Sequence, residues 1–391
     1  MFEPRWKNDE LNWILENSKL IKTPFFLLKE DKFKNNIAFF KKELKGQFLV
    51  CFSIKANPWY ASAAAEYADY VEVCSPGEWE LCRKQGISAN KIIVGGVYKS
   101  ELELKELVKS RPHRISIESM LQLEQIEKHA SASGIQANIL LRISSGNQFG
   151  MEPEQVIEIL NHKDKFPSLC IKGIHYYSGT QKRKKSEIEK DIELLEFVGN
   201  QTKDNFTEIE YGPGLGVPQF ENHTSEEYNM LLSELINRLK TLAGRFQITL
   251  ECGRLLAADT GIYITEIVDQ KTNYNRTYYI VDGGMHHLQY NGQIKGQFLP
   301  FIYTGDKTTE TKEVAVCGAL CTANDVFARS ASLPEKKIGE RIVFLNAGAY
   351  CVTEGICLFL SRDLPGIVMN RQQELIVLRD VIASYSFNMR L

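Results

Sequence analysis

The amino-acid sequence predicts a (β/α)8 barrel followed by an all-β domain, and three observations carry that prediction. Between residue 25 and about residue 255, short apolar runs alternate with amphipathic, helix-like stretches. Alternating β and α elements imply a parallel sheet with helices outside it. Eight such runs are present, the number that closes a barrel, and an open doubly wound sheet is the structural competitor. Beyond residue 260 the texture changes to short apolar runs and turns with little helix, as in YYIVD, EVAVCG and RIVFLNAG.

Taken in order, the barrel runs are 47–54, 70–73, 91–94, 114–118, 137–143, 170–177, 208–212 and 247–252. Helical patterns at 100–109, 119–130 and 225–244 lie between them. The expected domains are a barrel over 24–260 and a β domain over 261–391, with 1–23 joining the latter. A chain of 391 residues is also too long for one small core.

Composition excludes several function classes. An apolar content of 43% and a charged content of 25% describe a soluble globular protein. A net charge of −2 gives no electrostatic reason to bind nucleic acid or an anionic membrane. The run KRKK at 182–185 is followed at once by SEIEKDIE and reads as the solvated start of a helix. Nine cysteines without CxxC pairs, several inside apolar runs, are the usage of reduced thiols, and no metal site is expected. The first residues are too polar for a signal peptide, no long apolar run is present, and the expected location is the cytoplasm.

The chemistry is read at the ends of the barrel strands, where such folds place their active sites. The first strand ends in Lys55, the fifth in Arg142, the sixth in His175 and Tyr177, and the eighth in Glu251. Each has a plain alternative: a lone lysine usually snorkels to solvent, and Glu251 has Arg254 nearby as a salt-bridge partner. GPGLG at 212–216 is either a tight turn or an anion cradle, and Ser178, Gly179 and Thr180 form a second turn of the same character. A strand-end lysine, two anion-friendly turns, an arginine and a carboxylate together suit a phosphorylated aldehyde. Pyridoxal phosphate needs a lysine for its Schiff base, a phosphate site and a charged partner for its ring nitrogen.

The motifs resemble those of the fold-type III pyridoxal-phosphate decarboxylases, which include the diaminopimelate and ornithine decarboxylases and share their barrel with alanine racemase. The likeness runs through FSIKANP, VEVCSPGE, GIHYYSGTQ, YGPGLG, ECGRLLAADTG, VDGGMHH, CGALCTANDV and GAY, in the family's order. It implies that Lys55 carries the cofactor and Glu251 pairs with the ring nitrogen. Thr180, Gly214, Gly216, Gly253, Arg254 and Tyr350 would surround the phosphate, with Arg142, His175 and Tyr177 also at the cofactor. Cys321 would come from the second subunit of a homodimer and protonate Cα; taken alone, it reads as a structural cysteine. Thr322, His286 and His287 are expected to meet the substrate.

Three positions depart from the family pattern. Tyr177 stands where a histidine usually stacks on the ring, Thr322 replaces the acidic residue that grips a distal ammonium, and Leu299-Pro300 lacks the arginine for a distal carboxylate. The first two departures, with GMHHLQYNGQ at 284–293 and LCT at 320–322, look like a branch from secondary-metabolite and exopolysaccharide clusters, one member of which takes glutamate tethered to an acyl carrier protein. The expected activity is α-decarboxylation of a free or carrier-bound amino acid that is not a simple diamino acid. A racemase on the same barrel and an inactive regulatory homologue that binds pyridoxal phosphate are the alternatives.

Overall fold

The apolar run just after the N-terminal segment, Phe25–Lys29 (β1), does not enter the barrel. In the computed structural model, which describes residues 6–203, 205–290, 296–305 and 310–390, the chain divides into two compact units. One holds Lys34–Gly216 and Glu227–Leu255; the other holds the chain up to Phe33, Val217–Glu226 and everything from Leu256 onward. The boundaries at 24 and 260 expected from the sequence differ from these at both ends.

The first unit is a closed barrel of eight parallel strands: Leu49–Ser53 (β2), Tyr70–Val73 (β3), Ile92–Val94 (β4), Arg114–Ile117 (β5), Ala137–Ile143 (β6), Leu169–Tyr177 (β7), Glu208–Gly212 (β8) and Gln247–Cys252 (β9). Pairing of β2 with both β3 and β9 closes it. The eight apolar runs read from the sequence are these eight strands. The helices after β3, β4 and β5 begin where the sequence supplies caps. Ser75, Ser100 and Ser119 accept the backbone N–H groups of Glu78, Glu103 and Gln122. Each such cap stabilises its helix by about 1 kcal/mol.

The barrel interior is polar as well as apolar. Arg114 donates through Nε to Glu208 at 2.7 Å, and the register carries Ser116, Arg142, His175, Glu210 and Glu251 inward along successive strands. Inward carboxyls are costly unless paired, so their presence marks where the chemistry sits.

The second unit is a nine-stranded mixed sheet. It comprises β1 and Gly261–Asn273 (β10), Arg276–Val281 (β11), Ile302–Tyr303 (β12), Lys312–Cys317 (β13), Val326–Leu333 (β14), Arg341–Phe344 (β15), Gly366–Arg371 (β16) and Glu374–Arg379 (β17). β1 pairs antiparallel with β10 and parallel with β16, at the centre of the order β14-β13-β11-β10-β1-β16-β17. The sheet domain expected from the sequence is present, and the helix Asn8–Asn17 packs on it. Its Leu11 and Ile14, with Trp6, pack against Phe25, Leu27, Ile264 and Val368 of the sheet. Among the described residues no helix is long and apolar enough to cross a membrane, and all nine cysteines are free thiols.

Candidate active site

Lys55 lies in the single 3-10 turn Ile54–Ala56 that follows β2, so its side chain starts at the strand's C-terminal rim. Its Nζ does not snorkel outward. It donates to Glu72 Oε2 at 2.9 Å and Glu251 Oε1 at 3.1 Å, with Cys74 Sγ at 3.5 Å. The lysine side chain is 37% exposed while the two carboxylates are 3% and 5% exposed. An amine open on one side and flanked by buried carboxylates on the other is reachable by a ligand yet fixed in direction.

Glu251 is held from three sides. Ser53 Oγ donates to Oε1 at 2.8 Å alongside Lys55, and His175 Nε2 lies 3.2 Å from Oε2. The other ring nitrogen of His175 meets Ser116 Oγ at 2.8 Å, so Nε2–H donates to the carboxylate when the serine hydroxyl donates to Nδ1. Burial pushes the Glu251 carboxyl up, but Lys55 and the hydrogen bond from His175 outweigh it and hold the group well below the usual carboxylate range.

The two turns read as anion-friendly are zipped together. Lys182 N donates to Gly214 O at 2.9 Å, and Gly216 N donates to Lys182 O at 2.8 Å. Gly214 has φ +59°, and a Cβ there would overlap the carbonyl oxygen of Gly179; only glycine fits. Beneath the turns Asp191 accepts from Ser178 Oγ at 2.8 Å, from Tyr211 Oη at 2.7 Å and from Lys182 Nζ. Tyr177 packs so closely over Gly212 that a Cβ on that glycine would sit 2.5 Å from its ring and 3.2 Å from Glu251 Oε2. Burial, then the Glu251 charge, raise the Tyr177 phenol, and Thr180 hydrogen-bonds to it.

A reachable amine, a buried carboxylate 3.1 Å from it, an aromatic ring beside that carboxylate and two glycine-bearing backbone turns held side by side fit pyridoxal phosphate in kind. Arg254, Gly253 and Arg142 belong to the same unit. Arg254 is buried and acts on the Tyr177 phenol. Arg142 enters the interior already paired, donating through Nη1 to Glu118 at 2.5 Å, with its guanidinium over the Phe149 ring at 4.7 Å. It therefore brings no unbalanced charge to the site.

Cys321, Thr322, His286, His287 and Tyr350 belong to the sheet unit. Cys321 is exposed, in a loop organised by Asp325. Asp325 accepts the N–H of Met285 at 2.7 Å and of Leu320 at 2.8 Å, while its own carbonyl accepts from Gly318. His286 and His287, expected to meet substrate, are buried in this chain, at 1% and 3% exposure. His287 uses both ring nitrogens inside the unit, toward Tyr263 Oη at 3.0 Å and Asp363 O at 2.7 Å. Burial lowers the two imidazoles to about 3 and about 4, so both are uncharged at neutral pH. Of the motif at 284–293, residues 291–293 lie outside the described residues.

Sequence reasoning missed Glu72 and Asp325. Glu72 interrupts the buried run YVEV, an acid between two valines in a strand covered on both sides, which is itself a signal.

The profile of the family described as "Pyridoxal-dependent decarboxylase, C-terminal sheet domain" matches residues 37–348. The chain belongs to that family, the fold-type III pyridoxal-phosphate decarboxylases, and pyridoxal phosphate is its cofactor. It is 28% identical over 353 residues to a diaminopimelate decarboxylase of Helicobacter pylori, covering 84% of this chain and 86% of the relative. It is 26% identical over 385 residues to the L-glutamyl-[BtrI acyl-carrier protein] decarboxylase of Niallia circulans, covering 90% of each. The crystal structure of the Helicobacter pylori diaminopimelate decarboxylase complexed with L-lysine superposes with a TM-score of 0.83 at 26% identity, over 95% of this chain and 97% of that one.

Proposed function

We propose that this chain removes the α-carboxylate of an amino acid whose side chain carries no distal ammonium, free or tethered to a carrier protein. The observation that carries the proposal is Thr322, a neutral residue directly after Cys321. A buried or half-buried cation with no carboxylate to meet it is disfavoured. The likeness to the Niallia circulans enzyme, whose printed substrate is a carrier-bound glutamyl group, supports the same direction.

When bound, pyridoxal phosphate supplies an aldehyde for an amine and a ring that takes up the electron pair left at Cα as carbon dioxide departs. The chain's own residues then have separable tasks. Lys55 Nζ holds the cofactor, and Glu72 Oε2, at 2.9 Å, is placed to take the proton that the amine must lose to act as a nucleophile. Glu251, held by Ser53, would meet the ring nitrogen as a fixed anion, and Tyr177, beside Glu251 over Gly212, would supply an aromatic face for the ring. The backbone of 178–182 and 213–216, with Thr180 and Arg254 of the same unit, would take the phosphate. Cys321 Sγ returns a proton to Cα, a task suited to a thiol on an exposed loop. We further infer that two copies assemble so that Cys321 of one serves Lys55 of the other.

Carbon dioxide release across a panel of free diamino acids, free glutamate and its neutral analogues, and carrier-bound aminoacyl groups tests the reading. Release from the neutral, acidic or tethered members, with lysine-like diamino acids turned over poorly, is expected. In Thr322→Asp the preference should move toward basic side chains. Efficient release from meso-diaminopimelate by the unaltered protein would overturn the proposal.

A further inference from the structure

Glu210 stands inside the barrel on β8, 2% exposed, with both carboxyl oxygens shut off from solvent and without a hydrogen-bond partner among the described residues. The register sets it level with His175 on β7 and Thr249 on β9. The charged and titratable groups facing it are Cys51 from β2 and Lys55 from the turn after it, Glu72 from β3, Arg142 from β6, His175 from β7 and Glu251 from β9. Both cations in that set are engaged elsewhere: Lys55 lies between Glu72 and Glu251, and Arg142 is paired with Glu118. Three carboxyls thus share one lysine in a closed interior.

The three are not equivalent. Ser53, Lys55 and His175 all converge on Glu251, Glu72 hydrogen-bonds to it as well, and Lys55 also meets Glu72, whereas among the described residues nothing donates to Glu210. An anion without donors in such surroundings is strongly disfavoured, while a neutral acid loses only the cost of an unpaired polar group. We propose that Glu210 is the barrel's neutral acid, a positioning residue that carries the proton of the three-carboxyl cluster and so leaves Glu251 ionised toward the cofactor's ring nitrogen. This rests on the placing of Glu251 given above. The directions agree: burial, then Glu251 and Glu72, raise the Glu210 carboxyl well above its ordinary value, while Glu251 is held well below. Environments that push paired acids apart divide the roles between them.

Infrared spectroscopy of the whole protein with isotopically labelled glutamate reads the claim directly, with and without pyridoxal phosphate. At neutral pH the carbonyl stretch of a protonated carboxyl is expected in the unaltered protein and is lost in Glu210→Gln. The ring-nitrogen NMR shift of isotopically labelled pyridoxal phosphate should be the same in Glu210→Gln as in the unaltered protein at neutral pH. As pH rises, that shift should move in the unaltered protein in step with loss of the acid band, and stay fixed in the variant. An unaltered protein with no acid band, a band that survives Glu210→Gln, or a ring-nitrogen shift displaced by Glu210→Gln at neutral pH would each overturn the proposal. Should Glu210→Gln not fold, Glu210→Leu is read the same way. If Glu251→Gln leaves the ring nitrogen unmoved, the placing of Glu251 fails while the acid band stands, so the two failures are distinguishable.

Discussion

Lys55 shows at the scale of one residue why a rim position matters. Its stem begins where β2 ends, and two buried carboxylates draw its nitrogen back over the barrel mouth instead of into solvent. Lys55→Ala should therefore leave no cofactor fixed to the chain after borohydride reduction; a labelled peptide found elsewhere would remove Lys55 from its role. Lys55 and Glu251 were legible in the sequence because a strand end is where polar residues of a barrel become chemical. Glu210 was not, because EIEYG reads as a strand with polar residues facing outward until closure of the barrel turns that face inside. Its raised carboxyl makes a pH prediction with a definite sign. The folded state holds the proton more tightly than the unfolded chain, so stability is fully present below the ordinary carboxylate pKa. Stability then falls as pH climbs toward the folded value, by up to about 1.4 kcal/mol per pH unit. Glu210→Gln removes that loss, and its stability relative to the unaltered protein should grow in urea titrations as pH rises above the ordinary carboxylate range, because burial raises the folded-state value. A pH-independent difference would show that Glu210 does not titrate there.

Elements decide how firmly such residues are held. The loop between β13 and β14 presents Cys321, and Asp325 fastens it by accepting two backbone amides from Met285 and Leu320. Asp325→Ala leaves both amides unpaired, at about 1–3 kcal/mol each. The expected outcome is loss of most decarboxylation with cofactor retention on the barrel unchanged, since Lys55, Glu251 and the two glycine turns belong to the other unit. Asp325→Asn, which keeps an acceptor oxygen, should lose less. Cofactor loss in step with activity would show instead that the substitution acts through global unfolding. The eight barrel strands were legible because each is a short apolar run, and after three of them Ser75, Ser100 and Ser119 cap the helix that follows. β1 was harder to place. FFLLK is as apolar as any barrel strand, and only its partners, β10 from beyond the barrel and β16 from far along the chain, assign it to the sheet. Pairing across hundreds of residues leaves no local pattern to read.

For the molecule as a whole, the question is which chain's site the proposed proton donor Cys321 serves. The sheet unit carries an apolar surface in which Leu358, Phe359, Leu360, Tyr385 and Phe387 are exposed, and Asn388 ties its two segments by donating to Leu358 O at 3.0 Å and Ser361 Oγ at 2.9 Å. An exposed apolar cluster of this kind, stiffened by hydrogen bonds, is suited to association, and identical chains associate most often as two-fold dimers whose contacts are reciprocal. In such a dimer each site would draw Lys55 from one copy and Cys321 from the other. Lys55→Ala and Cys321→Ala would then damage different partners of the same site. Each variant alone should be inactive or nearly so. Mixed after brief dissociation and allowed to reassociate, the two should regain activity that neither possesses, because a mixed dimer contains one site with both residues intact. Light scattering on the same samples checks that dimers have formed. If mixed dimers form and activity does not return, Lys55 and Cys321 act within one chain, and the exposed apolar surface has another purpose.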